Sequence, residues 1–265
     1  MPLIDNNNEI PRKKLNVFYV LDTSGSMEGA KISALNHAME ECTEALKSIA
    51  KSNGDAQLQL AVLEFNSGCK WMTPNGPEDL EEDFEYEYLN ASGLTDIGAA
   101  LKELNSKLST HAFLNSMTGN LMPVIIFMTD GYATDDFESA LLEIRENRWF
   151  KHGVKIGFAL GEEPDVKMLS SVVGNSEAVI KTTDLELFKK LIKFVTVRSS
   201  MLVSQSQTKD VIPSGAGIVK DILEEEKMNG GLSENPQIYL EENDYNYETV
   251  DDDSDDDWGD DEEWL

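Results

Sequence analysis

A chain of 265 residues with 50 Asp and Glu against 22 Lys and Arg carries a formal charge of −28. That balance repels nucleic acid and anionic membrane surfaces and favours basic surfaces on partner proteins. The hydrophobic content of 40% suits one well-buried domain plus an appendage, while two cysteines (Cys42, Cys69) and three scattered histidines (His37, His111, His152) exclude a disulfide framework and a soft-metal cluster.

In chain order, residues 1–11 read as a polar N-terminal extension without the apolar core of a signal peptide. Leu15–Leu21 is an unalternated apolar run and predicts a buried strand. Ile32, Leu35, Met39, Cys42, Leu46 and Ile49 then fall at steps of three and four, the apolar stripe of a long helix; Cys42 lies on that stripe and reads as a packed core thiol. Leu58–Phe65 predicts a second strand, closed by Asn66-Ser67-Gly68 and followed by a short edge strand around Cys69–Met72. The acidic, proline-bearing stretch Thr73–Asn90 reads as an exposed excursion. Ile97, Leu101, Leu104 and Leu108 mark another helix, Met122–Thr129 a fully buried strand, and Asp136–Phe150 a helix. A strand at Lys155–Leu160, a helix from Asp165 to about Val173, a strand at Ala178–Lys181 and a helix from Asp184 to about Val197 follow. Asp136, Asp165 and Asp184 each stand where a helix start favours a side-chain acceptor.

Strands that alternate with helices, and are apolar on both faces, predict an α/β domain over residues 12–200: a doubly wound, mostly parallel sheet, helices on both faces, one antiparallel edge strand. The longest apolar run, Leu121–Met128, is broken by Pro123 and is too short to cross a bilayer. With the polar N-terminus this predicts a cytoplasmic protein.

Open sheets of this kind bind ligands beyond the carboxyl ends of their strands, where the strand order reverses. Asp22 ends the first predicted strand and is followed by Ser24 and Ser26; Asp130 ends the Met122–Thr129 strand; Thr95 lies in a loop just before a helix. Small oxygen ligands delivered by strand-end loops suit a hard divalent cation. A phosphate-cradling loop does not fit, because Gly25 to Gly29 is one residue too short, Lys31 is one residue late, and Ile32 stands where a hydroxyl is needed.

Asp22-x-Ser24-x-Ser26, Thr95 in a Gly-Leu-Thr loop, and Thr129-Asp130-Gly131 after an apolar strand resemble the metal-ion-dependent adhesion site (MIDAS) of von Willebrand factor type A (VWA) domains. Within that family the chain looks similar to the bacterial intracellular type linked to tellurium resistance (TerY-like), whose members are associated with a protein kinase and a metal-dependent phosphatase. The resemblance implies Mg²⁺, with Mn²⁺ as the alternative ion. It makes Ser24, Ser26 and Thr95 the direct ligands, with Asp22 and Asp130 neutralising the ion, often through water.

The implied function is non-enzymatic: an adaptor or regulator in a cytoplasmic stress-response or defence system that grips an acidic residue of another protein through the cation. The alternative is a metal-dependent phosphatase-like enzyme using Asp22 and Asp130, against which stands Ser24, where a second acid would be required. Asp96, Asp135 and Asp136 flank these motifs outside the family pattern and read as a helix start and solvated acids.

Residues 201–240 read as a linker with one short helix around Ile218, Val219, Ile222 and Leu223. Residues 241–265 hold 14 Asp or Glu and no Lys or Arg, hence half of the total charge, and predict a tail that is disordered when free. Tyr245, Tyr247, Trp258 and Trp264 within it supply anchors that a purely solubilising segment does not need. They predict a docking peptide for a basic, apolar surface, the alternatives being mimicry of nucleic acid or a fold-back that puts one of its own acids on the metal.

Overall fold

The computed structural model describes residues 12–82, 84–205, 214–228 and 237–238. The first strand, β1 (Lys13–Asp22), is buried from Leu15 onward. A strand that is apolar on both faces must be covered on both, and β1 accordingly lies inside the sheet. It pairs in parallel with β2 (Ala56–Asn66) on one side and β5 (Val124–Thr129) on the other. Beyond β5 lie β6 (Val154–Leu160) and β7 (Val179–Thr182), both parallel. The order is β3-β2-β1-β5-β6-β7-β8, where β3 (Gly68–Trp71) is the expected antiparallel edge strand and β8 (Gln237–Ile238) pairs antiparallel with β7. A two-residue strand, β4 (Glu78–Asp79), also runs antiparallel to β2.

Alternate side chains of β1 feed two cores. Leu15, Val17, Tyr19 and Leu21 pack under α1 (Ala30–Ser52), α6 (Leu185–Gln205) and α7 (Gly215–Met228). Phe18 and Val20 face α2 (Ile97–Lys107), α3 (Phe137–Arg145) and α5 (Val166–Val173). The stripe of α1 is buried as its spacing predicts, with Leu35, Met39, Cys42 and Leu46 fully enclosed. Tyr19 carries a polar tip into the core from the central strand, and its hydroxyl shares a 2.6 Å hydrogen bond with Thr196 of α6, which offsets the penalty of burying it. This is the expected doubly wound α/β architecture.

Three segments differ from the sequence reading for identifiable reasons. The helix expected over Asp136–Phe150 is two helices, α3 and α4 (Arg148–His152). Asn147 divides them: its amide oxygen caps Trp149 N–H, while its amide nitrogen donates to the Asn105 and Leu108 carbonyls. The stretch Thr73–Asn90 is not a free excursion, since Leu80, Phe84 and Leu89 are buried. Buried Asn36 of α1 clamps it, donating to the Leu89 carbonyl and accepting from Leu89 N–H and the Tyr86 hydroxyl. Finally, α6 continues past Val197 to Gln205, carrying Ser199, Ser200 and Ser204 on its buried side. The Ser199 and Ser204 hydroxyls donate to carbonyls one turn back, so small residues that suggest a linker are accommodated inside a helix. Residues 1–11 and the acidic stretch 241–265 lie outside the described residues.

Candidate metal centre

The sheet reverses its winding between β1 and β5, and both strands end there. Leu21 is in register with Met128, which sets Asp22 beside Thr129 at the carboxyl edge. Asp22 is fully buried. One of its oxygens accepts the Ser24 N–H at 2.8 Å and the other accepts the Thr129 hydroxyl at 2.6 Å. These bonds fix the turn that follows β1, which brings Ser24 and Ser26 to the side of Asp130. Burial holds the Asp22 carboxyl above its ordinary value of 3.8, a pressure that the hydrogen bonds from Thr129 and Ser24 oppose and the neighbouring Asp130 charge adds to.

Ser24 Oγ and Ser26 Oγ lie 3.0 Å apart, and Ser26 Oγ donates to Asp130 Oδ1 at 2.6 Å. The third loop reaches the same place. Gly25 N–H donates to the Gly93 carbonyl and Ser92 N–H to the Thr23 carbonyl, lashing the segment before α2 to the turn after β1. Thr95 is held through its backbone by Thr134, whose hydroxyl accepts Thr95 N–H and whose own N–H donates to the Thr95 carbonyl. The absence of a side chain at Gly131 keeps the centre open: a Cβ there would lie 3.5 Å from Thr95 Oγ1 and 3.7 Å from Ser26 Oγ.

Four of the five residues expected in the site, Ser24, Ser26, Thr95 and Asp130, thus surround one small space, with Asp22 directly behind. Among the described residues no three His, Cys, Asp or Glu side chains gather into a metal cluster, so a cation here depends on hydroxyl oxygens with two carboxylates for charge. That donor set fits Mg²⁺ or Mn²⁺, hard ions that take oxygen ligands and retain water.

The flanking acids have structural duties. Asp135 accepts Gly98 N–H and Ala99 N–H at 2.9 and 2.7 Å, capping α2 from a different loop. Asp96 accepts Gly68 N–H and the Thr134 hydroxyl, and Asp136 caps α3 through Ser139 N–H. Asp96 and Asp135 are therefore tied into the protein rather than simply solvated. Two further residues escaped the sequence reading. Thr134 carries no motif of its own. Lys31, in the first turn of α1, places its ammonium 2.5 Å from Asp130 Oδ2 and 3.4 Å from the Ser26 carbonyl; its signal in the sequence was only an ill-fitting phosphate loop. Neither cysteine is poised as a nucleophile, since burial pushes the Cys42 thiol up to about 12 and the Cys69 thiol up to about 11.

Residues 17–133 match the family model for the von Willebrand factor type A domain. Solved structures agree in fold at low identity. A von Willebrand factor type A protein from Catenulispora acidiphila is 18% identical with a TM-score of 0.53, the match covering 72% of this chain and 43% of that one. The ArnB paralog VWA2 from Sulfolobus acidocaldarius is 15% identical with a TM-score of 0.50, covering 68% and 44%. Proximal thread matrix protein 1 from the mussel byssus, in a structure whose MIDAS motif is occupied by zinc, is 18% identical with a TM-score of 0.50, covering 71% and 48%. The chain spans less than half the length of each of these relatives.

Proposed function

We propose that this chain, whose sheet and helices form a von Willebrand factor type A fold, is a divalent-cation-dependent protein-interaction module. The observation that carries this reading is the convergence of Ser24, Ser26 and Thr95 with Asp130 at the reversal point of the sheet. The three hydroxyls would hold the ion directly; Asp22 and Asp130 would neutralise it. Bound there, Mg²⁺ would supply an electrophilic position for a carboxylate oxygen of another protein, and Mn²⁺ would substitute for it.

The chain's own residues supply the rest of the docking face. Leu94 and Tyr132, each within two positions of a site residue, are 58% and 61% exposed, giving an apolar rim beside a charged centre, the combination found at binding anchors. The partner is thus a protein that presents an acidic residue with apolar neighbours. Within this reading the module is an adaptor or regulator in a cytoplasmic stress-response or defence system, with a protein kinase and a metal-dependent phosphatase among its partners; that setting rests on the general character of the chain and not on a motif of its own. The acidic, aromatic stretch 241–265 is a second docking element, for a basic surface, supported by its 14 acids and interleaved Tyr and Trp.

The direct test is capture of partner proteins from cell extract by the full chain in Mg²⁺, with and without chelator, beside Ser26→Ala. Ser26 is exposed, so its truncation leaves the fold intact. Chelator and Ser26→Ala should remove the same set of captured proteins. A set that persists through both treatments contradicts the proposal.

A further inference from the structure

The Lys31–Asp130 ion pair places a fixed positive charge against the carboxylate that a cation would use. Lys31 comes from α1, where its side chain is about one-third exposed, while the Asp130 side chain is fully enclosed. The lysine reaches across the mouth of the site: besides Asp130 it meets the Ser26 carbonyl, and a Cβ on Gly161, at the end of the β6 strand, would lie 3.6 Å from its Nζ. It is wedged between two strand-end loops and is not a free surface lysine.

Charge addition over these groups gives the consequence. Asp22, Asp130 and Lys31 sum to −1; a divalent ion brings the sum to +1, and a partner's carboxylate then brings it to zero. Without Lys31 the corresponding sums are −2, zero and −1. Like charges a few ångströms apart oppose one another strongly in a partly desolvated site, so Lys31 opposes the bare ion most, attracts an acidic ligand to the loaded site, and opposes the ion less once that ligand is bound.

We propose that Lys31 couples cation binding to partner binding. It weakens the grip on the metal by opposing it at Asp130, and it draws in a foreign carboxylate whose charge partly offsets that opposition. Lys31 acts as a positioning and charge-setting residue rather than a metal ligand. This rests on the metal-dependent reading above, and makes the loaded state conditional on an acidic partner.

Mn²⁺ titration of the full chain followed by electron paramagnetic resonance tests it, in wild type, Lys31→Met and Lys31→Arg, each with and without acetate as the carboxylate probe. Lys31→Met should bind Mn²⁺ roughly tenfold more tightly than wild type, and Lys31→Arg, which keeps the charge, should stay near wild type. Acetate should tighten Mn²⁺ binding in wild type more than in Lys31→Met. Equal Mn²⁺ affinity in wild type and Lys31→Met, or an equal acetate effect, overturns the coupling while leaving the metal site standing. Failure of all three proteins to bind Mn²⁺ overturns the metal site itself. Unchanged melting temperatures in chelator would show that the substitutions act on the site and not on the fold.

Discussion

At Asp22 the demands of folding and of cation binding conflict. Its carboxyl is raised from 3.8 chiefly by burial, so the folded chain keeps that proton to a higher pH than the unfolded chain does. Stability contributed by this group is therefore present in acid and declines as pH rises above 3.8 and through the raised folded value. Asp22→Asn should abolish that decline, because an amide oxygen still accepts the Ser24 N–H and an amide N–H can donate to the Thr129 hydroxyl. Urea unfolding in chelator should show the variant gaining on wild type as pH rises above 3.8; a difference that stays constant with pH contradicts a raised carboxyl at Asp22. The same substitution should eliminate cation uptake at neutral pH, a trade of function against stability familiar at binding sites. Ser26 is the opposite kind of residue: exposed, cheap to truncate, and informative only through binding.

Among the elements, the loops of the site are fixed by residues that never touch its centre. Asp135 holds the first turn of α2 by two charge-assisted hydrogen bonds to Gly98 and Ala99. Asp135→Ala should cost about 1–2 kcal/mol in urea unfolding and, because α2 begins just after Thr95, should also weaken Mg²⁺ uptake; an effect on neither quantity would show that Thr95 is positioned without it. Asn36 is the clamp on the preceding segment, and Asn36→Ala would strand the buried Leu89 N–H and carbonyl at a cost of about 2–3 kcal/mol, measurable by the same unfolding experiment. The main parallel strands and the long helices were legible in the sequence, because β1 and β5 are apolar without alternation and α1 repeats its apolar stripe every three or four positions, whereas the two-residue strands β4 and β8 carry no such pattern. Asp22, Ser24, Ser26 and Asp130 were legible as strand-end residues with a recognisable spacing. Asn36, Asp135 and Lys31 were not, because their partners lie 53, 37 and 99 positions away and no local pattern announces a pairing across that distance. The break at Asn147 was hidden for the same reason, since its amide is engaged by carbonyls of a separate loop.

Over the whole molecule, charge and the C-terminal helix decide behaviour more than any one contact. Helix α7 buries Ile218, Val219, Ile222 and Leu223 against the core shared with α1 and α6, so it belongs to the folded unit. Ile218→Ala should cost about 2–4 kcal/mol in urea unfolding, whereas a helix merely tethered to the domain would show almost no change. Half of the net charge of −28 sits in residues 241–265, and attraction of that segment to a basic partner surface should weaken as salt rises toward screening concentrations. Removing residues 241–265 should therefore lower partner capture at low salt. Unchanged capture would reduce the segment to a solubilising role, and increased capture would mean that its acids compete for the site. The central claim is that oxygens from the loops after β1, before α2 and after β5 converge on one divalent cation. Calorimetric titration of Mg²⁺ into the wild-type chain, repeated with Ser26→Ala and Asp130→Asn, tests it most directly. The account predicts one binding event per chain, weakened by the first substitution and absent in the second; no heat of binding in wild type, or identical binding in all three proteins, would contradict it.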